Sequence, residues 1–190
     1  MRSLHLVRHA RSRPDPVQPP ERWPLDPAGF ADLQALAASD RVPLGAPTYS
    51  SPEPKALATA HVLAHPNRPV DPAQAHRCGC DAVTVVGELV EHRRRPRWFP
   101  DPADFRDAVR RAFADPLTPA VPEWEPLGAL RDRLLPATRR LVDRHRETDV
   151  VLVGHGTAWT LLVSELSGTA PDLEAWAMLR MPDVWTLTLP

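Results

Sequence analysis

Short apolar runs alternate with longer amphipathic segments along this chain of 190 residues. The run over 149–153 is continuous and rich in β-branched residues, which is typical of a strand buried in a parallel sheet. A second clear run, over 3–7, lies near the start of the chain. Weaker runs predict further strands over 46–49, 82–86 and 184–189.

Helical spacing of apolar residues predicts helices between these strands. Asp26-Pro27 and Asp101-Pro102 are predicted starts, because Pro is favoured in the first turn of a helix. Ser51-Pro52 is the predicted cap and start of another helix. Two further helices are expected over 127–146 and 157–166, with Pro136 expected to kink the former. Strands that alternate with helices in this way indicate a layered α/β fold with a mostly parallel sheet.

Composition fits one globular domain over residues 1–190. Hydrophobic residues make up 43% of the chain and charged residues 25%, and the net charge is −1. This balance gives no electrostatic reason to expect binding to nucleic acid or to an anionic membrane. The stretch 88–126 is rich in proline and is predicted to be an insert that determines specificity. The sequence does not indicate an oligomeric state, although the strand over 184–189 could pair between chains.

Cysteine is limited to Cys78 and Cys80, so a secreted disulfide framework is not expected. No spacing of His, Cys, Asp or Glu indicates a metal site, and we predict neither metal nor cofactor. The N-terminal residues lack the apolar core of a signal peptide, and no run of about 18 apolar residues predicts a membrane span. We therefore expect a cytoplasmic protein.

Two histidines follow predicted strands, at the sheet edge where open α/β proteins bind ligands. Arg8 and His9 end the first strand, and His155 ends the strand at 149–153. A neutral imidazole can attack phosphorus, and an arginine can neutralise phosphoryl charge with a bidentate fork. Gly154 and Gly156 would let the backbone approach a ligand. These residues point to phosphoryl chemistry on histidine.

Other candidates have serious structural alternatives. Lys55 falls in the first turn of a predicted helix, but a solvated lysine is common. Glu88 or Glu91 could protonate a leaving alcohol. The basic cluster Arg93-Arg94-Arg95 with Arg97 could recruit an anion or could be a solvated rim. Three aromatic residues could wall the pocket, although core packing explains aromatics more often: Trp98, Phe99 and Trp124.

The order of these motifs resembles the histidine phosphatase superfamily, the phosphoglycerate-mutase-like proteins. The family carries an N-terminal Leu-x-Arg-His-Gly, a Ser-Ser-Pro-x-x-Arg-Ala segment, a mid-chain Leu-x-Glu and a late Val-x-His-Gly. The corresponding segments here are Leu6-Val7-Arg8-His9-Ala10, Ser50-Ser51-Pro52-Glu53-Pro54-Lys55-Ala56, Leu89-Val90-Glu91 and Val153-Gly154-His155-Gly156. The resemblance implies a three-layer α/β/α sandwich around a mostly parallel sheet.

The resemblance also implies the roles of the site residues. His9 is the phosphorylated nucleophile, Arg8 and His155 bind the phosphoryl group, and Glu91 is the proton donor. The reaction needs no metal. Ser12, Lys55 and Gly156 are the predicted substrate contacts. Ala10 replaces the usual glycine, Lys55 stands where a second arginine belongs, and Asp15 replaces an asparagine of some members.

The leading interpretation is a phosphomonoester hydrolase acting on a small phosphorylated metabolite. A phosphoglycerate-mutase-like phosphotransferase is the first alternative, although dedicated mutases tend to be longer. The second alternative is a weakly active phosphate-binding scaffold, which the changes at Asp15 and Lys55 would favour.

Overall fold

The computed structural model describes residues 2–68, 81–94 and 99–189. Within these ranges five strands form one mixed sheet in the order β3-β2-β4-β1-β5. The first four strands are mutually parallel, and β5 runs antiparallel to β1 at the edge. The strands are β1 Arg2–Arg8, β2 Thr48–Ser50, β3 Val83–Val85, β4 Val150–Gly154 and β5 Asp183–Leu189.

Six α-helices accompany the sheet in the described ranges, and all but the last were predicted. They are α1 Phe30–Ala37, α2 Pro54–Ala64, α3 Pro102–Ala114, α4 Leu127–Arg144, α5 Gly156–Ser167 and α6 Leu173–Ala177. Asp101 caps α3, with its Oδ1 accepting from the Ala103 amide at 2.7 Å. Asp26 caps a short 3₁₀ turn that leads into α1.

The predicted start of α2 at Ser51-Pro52 is wrong. The helix begins at Pro54, and Glu53 occupies the N-cap position without capping through its side chain. Ser51 is instead fully buried, and its hydroxyl lies 2.9 Å from Nε2 of His155. The hydroxyl that the sequence assigned to a helix cap therefore makes a tertiary contact, although it also accepts from the Glu53 amide at 3.3 Å.

Alternate residues of the central strands pack on opposite faces of the sheet, as strand geometry requires. Leu6 and Leu152 are paired in register and pack with α4 and α5 on one face. Val7 and Val153, also paired, pack with α1 and α2 on the other. The fold is therefore the predicted α/β/α sandwich.

The parallel arrangement brings the carboxyl ends of β1, β2 and β4 to one edge of the sheet. His9 follows β1, Ser51 follows β2 and His155 follows β4. The His9 amide donates to the Gly154 carbonyl at 2.8 Å, and the Ser51 amide donates to the Val153 carbonyl at 3.0 Å. These bonds extend the sheet pairing by one residue and hold both histidines side by side.

The predicted insert contains α3 and a small core of its own. Trp124 is buried there with Val109, and Phe105 packs against its ring. Cys78, Cys80, Arg95, Arg97 and Trp98 lie outside the described residues. No described helix is both long and apolar enough to cross a bilayer.

Candidate active site

His9 is buried at the end of β1, with only one ring nitrogen engaged by the protein's own backbone. Its Nδ1 lies 2.7 Å from the Ala10 carbonyl, so this nitrogen carries the proton and donates. The lone pair is consequently on Nε2. Burial, reinforced by neighbouring positive charges such as that of Lys55, holds the pKa of His9 well below its usual range. His9 is therefore a neutral imidazole with a free lone pair.

His155 lies beside His9 at the start of α5. The two ring centroids are 5.3 Å apart, with an interplanar angle of 65°. Nε2 of His155 contacts Ser51 Oγ at 2.9 Å and Glu53 Oε1 at 3.1 Å. Its Nδ1 is buried and has no hydrogen-bond partner among the described residues. Burial and the charge of Lys55 lower the pKa of His155 to about 3, so this ring is neutral as well.

Arg8 is held by the carbonyl groups that follow α6. Its Nη1 donates to Leu179 at 2.8 Å and to Arg180 at 3.2 Å. Its Nε is buried and has no partner in the described part of the chain. Burial lowers the pKa of Arg8, while Glu91 and Asp183 raise it. A tethered guanidinium with an unsatisfied donor is suited to binding an oxyanion.

The glycines beside His155 make room for side chains of this chain, while their predicted approach to a ligand stays a prediction. A Cβ at Gly154 would lie 2.5 Å from Cζ2 of Trp159, whose indole donates to the Val7 carbonyl. A Cβ at Gly156 would lie 3.3 Å from Nε of Arg8. Gly156 therefore acts in the site by letting the Arg8 guanidinium approach.

Lys55 is buried, which excludes the solvated alternative. Its ammonium donates to the Pro20 carbonyl at 2.6 Å and to Glu53 Oε2 at 2.5 Å. Glu53 was not singled out from the sequence, yet its side chain is only 5% exposed. The Lys55 ammonium thus pairs with an internal carboxylate, and its charge also acts on His9 and His155.

Glu91 reaches the site as a carboxylate bound to the first turn of α5. Its Oε1 accepts from the amides of His92 and Ala158, and its Oε2 accepts from that of Thr157. Burial and Glu53 raise its pKa, but Arg94, His155 and the His92 amide outweigh them and hold the pKa below its usual range. The helix N-terminus favours the same negative charge.

Glu88, the competing acid, lies elsewhere. Its side chain is 44% exposed and pairs with Arg140 of α4 at 3.0 Å. This position favours Glu91 over Glu88 as the acidic group of the site.

Arg94 was predicted only as part of a basic cluster, but in the structure it contacts two aromatic rings and the Thr157 hydroxyl. Its guanidinium lies 4.9 Å from the Phe105 ring centroid and 4.8 Å from that of Trp124. Its Nη2 donates to Thr157 Oγ1 at 2.7 Å. Arg94 is therefore no solvated rim residue, whereas Arg93 is exposed. The basic cluster and the aromatic residues are visible in the sequence. That Arg94 lies over the rings of Phe105 and Trp124, close to Glu91, depends on the fold and could not be predicted.

Contacts within the loop between β1 and α1 hold this loop together. Ser12 pairs with Leu25 in an isolated bridge, and no hydrogen bond from its side chain to the histidines is seen. Asp15 forms a local turn, its Oδ1 accepting from the Val17 amide at 3.0 Å. A cavity of about 260 Å³ lies against this loop, lined in part by Asp15, Arg22 and Trp23.

No group of three or more His, Cys, Asp or Glu side chains suited to a metal ion occurs in ranges 2–68, 81–94 and 99–189. The positive charges near the histidines come from Arg8, Lys55 and Arg94. The arrangement brings together two neutral imidazoles, three cationic side chains and two carboxylates, those of Glu53 and Glu91.

Comparison with known proteins points the same way. The family model described as histidine phosphatase superfamily (branch 1) matches residues 96–185, which include His155 but not His9. No curated protein matches the chain by sequence. Among solved structures, Bacillus stearothermophilus YhfR is 22% identical with a TM-score of 0.69, covering 100% of this chain and 92% of its own.

Two further structures show the same fold. A mycobacterial glucosyl-3-phosphoglycerate phosphatase, solved with VO3, is 21% identical with a TM-score of 0.70, over 99% of this chain and 91% of its own. A phosphoserine phosphatase from Entamoeba histolytica is 16% identical with a TM-score of 0.68, over 98% and 90%. These matches confirm the resemblance to the histidine phosphatase superfamily.

Proposed function

We propose that this chain is a histidine phosphatase, a phosphomonoester hydrolase that works through a phosphohistidine at His9. The observation that carries the proposal is the state of that ring. His9 is buried and neutral, and its Nδ1 proton is committed to the Ala10 carbonyl, so Nε2 is available as a nucleophile. A covalent intermediate divides one difficult displacement into two easier ones.

In the first step Nε2 of His9 attacks phosphorus, and the bond from phosphorus to the leaving oxygen breaks. Arg8 and His155 hold the phosphoryl oxygens, where the transition state carries its charge. Lys55 adds positive charge from the first turn of α2.

Glu91 protonates the leaving alkoxide in the same step. Its carboxyl is ionised in the free protein, and the negative charge of the bound phosphoryl group raises its pKa so that it can gain a proton. In the second step water attacks the phosphohistidine and Glu91 accepts a proton from that water. The step releases inorganic phosphate and restores neutral His9.

The substrate class we propose is a small phosphorylated metabolite. The similar structures include phosphatases named for glucosyl-3-phosphoglycerate and for phosphoserine, both small phosphomonoesters. The cations of the site come from side chains, and we propose that no metal takes part. The close grouping of Arg8, His9, Glu91 and His155 favours an enzyme over a phosphate-binding scaffold.

The proposal is tested by trapping the intermediate in the presence of EDTA. Full-length protein is mixed with a radiolabelled phosphomonoester and quenched in alkali, where phosphohistidine survives. We expect acid-labile, base-stable label on His9, and continued turnover despite the chelator. The variant His9→Ala should lose the label and nearly all turnover while retaining the wild-type circular dichroism spectrum.

His65→Ala is the matched control, since His65 follows α2 and lies outside the site. It should label as wild type does. A folded His9→Ala variant that turns over at the wild-type rate would refute the covalent mechanism, and a strict need for an added divalent ion would refute the metal-free one.

A further inference from the structure

Glu53 connects three groups of the site, although the motif that contains it gives it no role. Its Oε1 accepts from the Glu91 amide at 2.9 Å and lies 3.1 Å from Nε2 of His155. Its Oε2 accepts from the Lys55 ammonium. The carboxylate is 5% exposed, so these contacts replace the water that it lost on folding.

The contact with His155 determines where that ring carries its proton. A carboxylate oxygen can only accept a hydrogen bond, so Nε2 of His155 must be the protonated nitrogen. Ser51 Oγ lies 2.9 Å from the same nitrogen and is a second acceptor for it. The lone pair of the neutral ring is therefore on Nδ1, which is buried and has no partner among the described residues.

This tautomer has a consequence for phosphoryl binding. Because Nε2 of His155 is engaged by Ser51 and Glu53, Nδ1 is the nitrogen left to bind a phosphoryl oxygen, and its bare lone pair would repel that oxygen. Nδ1 can bond to a phosphoryl oxygen only when it shares or holds a proton. The ring that results is a cation, with Glu53 accepting from its opposite nitrogen.

In the free protein the surroundings of His155 favour the neutral ring. Burial and the cations Lys55, Arg8 and Arg94 favour the neutral ring, and Glu91 favours the charged one. His9 contributes no charge while it is neutral. An arriving phosphoryl group adds negative charge on the Nδ1 side, while Glu53 already provides it on the Nε2 side. Both negative charges would favour the charged form of His155 once an oxyanion is bound.

We propose that Glu53 is a positioning residue that fixes His155 in its Nε2-protonated tautomer and stabilises the doubly protonated ring when a phosphoryl group binds. The proton for Nδ1 comes from the P–OH of a phosphomonoester monoanion, which leaves a bound dianion and an imidazolium. With a dianionic ligand it comes from solvent. The inference rests on the proposed function only for the identity of the ligand.

Nitrogen NMR of the full chain labelled with ¹⁵N-histidine tests the proposal directly. The probe is tungstate, an oxyanion that is dianionic at neutral pH. In the free protein we expect His155 to be protonated at Nε2 and bare at Nδ1, and in the tungstate complex to be protonated at both. His155→Asn identifies the signals. A free ring protonated at Nδ1, or a bound ring that stays neutral, overturns the proposal without recourse to any Glu53 variant.

Glu53→Gln keeps an acceptor near the Glu91 amide but removes the charge. The tungstate-bound His155 should then lose its second proton at a pH at least about one unit lower, and tungstate should bind about tenfold more weakly at pH 8. Glu88→Gln, on the exposed pair with Arg140, is the matched control and should change neither quantity. If Glu53→Gln leaves both unchanged, Glu53 has only a structural role.

The two proposals fail separately. Absence of labelled His9, combined with the expected tautomer of His155, would remove the phosphatase mechanism and leave the role of Glu53 in oxyanion binding. A labelled His9 with a His155 ring that never gains its second proton would do the reverse.

Discussion

In the proposed mechanism, protonation of the leaving group depends on the side chain of Glu91. Its carboxylate accepts from three backbone amides, including two in the first turn of α5. Any replacement must therefore be judged for its effect on that helix start as well as on proton transfer. A comparison of two leaving groups within one variant separates these effects, because a folding defect lowers both rates equally.

We predict that Glu91→Gln slows hydrolysis of an alkyl phosphate by about 10²–10⁴-fold, the usual contribution of general acid catalysis. A nitrophenyl phosphate should be slowed far less, since its leaving group hardly needs a proton. The measurement is kcat/KM for both substrates. Glu88→Gln is the control and should behave as wild type. Equal losses for both substrates would show that Glu91 does not act as the acid.

Lys55 and Glu53 make a pair whose members cannot be removed singly without cost. We predict that Lys55→Ala destabilises the fold by about 3–5 kcal/mol, because it leaves the buried Glu53 carboxylate without its cation. Inhibition by inorganic phosphate should weaken about tenfold to a hundredfold, the value of one charge-assisted hydrogen bond.

The double variant Lys55→Met/Glu53→Gln should recover much of the stability lost by Lys55→Ala, since no unpaired buried charge remains. It should not recover phosphate inhibition. Urea unfolding and inhibition constants measure the two effects. A Lys55→Ala protein as stable as wild type would mean that Glu53 finds another partner.

At the scale of elements, the turn from β4 into α5 depends on a glycine. Trp159 of α5 is fully buried and lies where a side chain at position 154 would begin. The indole donates to the Val7 carbonyl and cannot swing away freely. The packing of α5 on the sheet, and with it the place of His155, depends on this contact.

We predict that Gly154→Ala destabilises the protein by about 1–3 kcal/mol, the usual cost of overpacking a core. Gly87→Ala is the matched control, because a Cβ there meets nothing within 4 Å. It should change the free energy of unfolding by less than about 0.5 kcal/mol. Denaturant unfolding measures both. Equal stabilities would show that Trp159 moves at little cost.

Elements with strong local signals could be predicted from the sequence, and those that depend on distant contacts could not. The apolar run over 149–153 predicted β4, and Asp101-Pro102 predicted the start of α3. The start of α2 was misplaced because the Ser51 hydroxyl contacts a histidine 104 residues away. The five-residue helix α6 is too short for a periodic pattern.

The same distinction holds for the site. The motifs pointed to Arg8, His9 and His155, because these residues lie at the ends of apolar strands. Glu53 could not be found, because burying a carboxylate depends on partners that only the fold supplies. Its neighbours at positions 52 and 54 are prolines, and nothing local marks it.

At the scale of the whole molecule, three buried histidines link the fold to pH. Burial lowers the pKa of His92 to about 4 and that of His155 to about 3, and it holds the pKa of His9 well below its usual range. In the unfolded chain each pKa returns to about 6.5. Between these values the unfolded state binds more protons, so acid favours unfolding.

We predict that the free energy of unfolding falls as the pH is lowered from about 6.5 towards 4. Each histidine contributes up to about 1.4 kcal/mol per pH unit within this window. Urea unfolding at pH 7, 6 and 5 measures the slope, and His155→Asn should reduce it by one histidine's share. A free energy of unfolding that stays level from pH 7 to pH 5 would contradict the prediction.

The tether of Arg8 has a consequence for how the protein is made. This guanidinium, near the start of the chain, is held by the Leu179 carbonyl 171 residues later, on the segment that leads into β5. β5 then pairs antiparallel with β1, the strand that ends at Arg8. A nascent chain that has not yet reached residue 180 lacks both carbonyl partners of Arg8. The proposed site therefore cannot form with its arginine held in place before this distant segment has been synthesised.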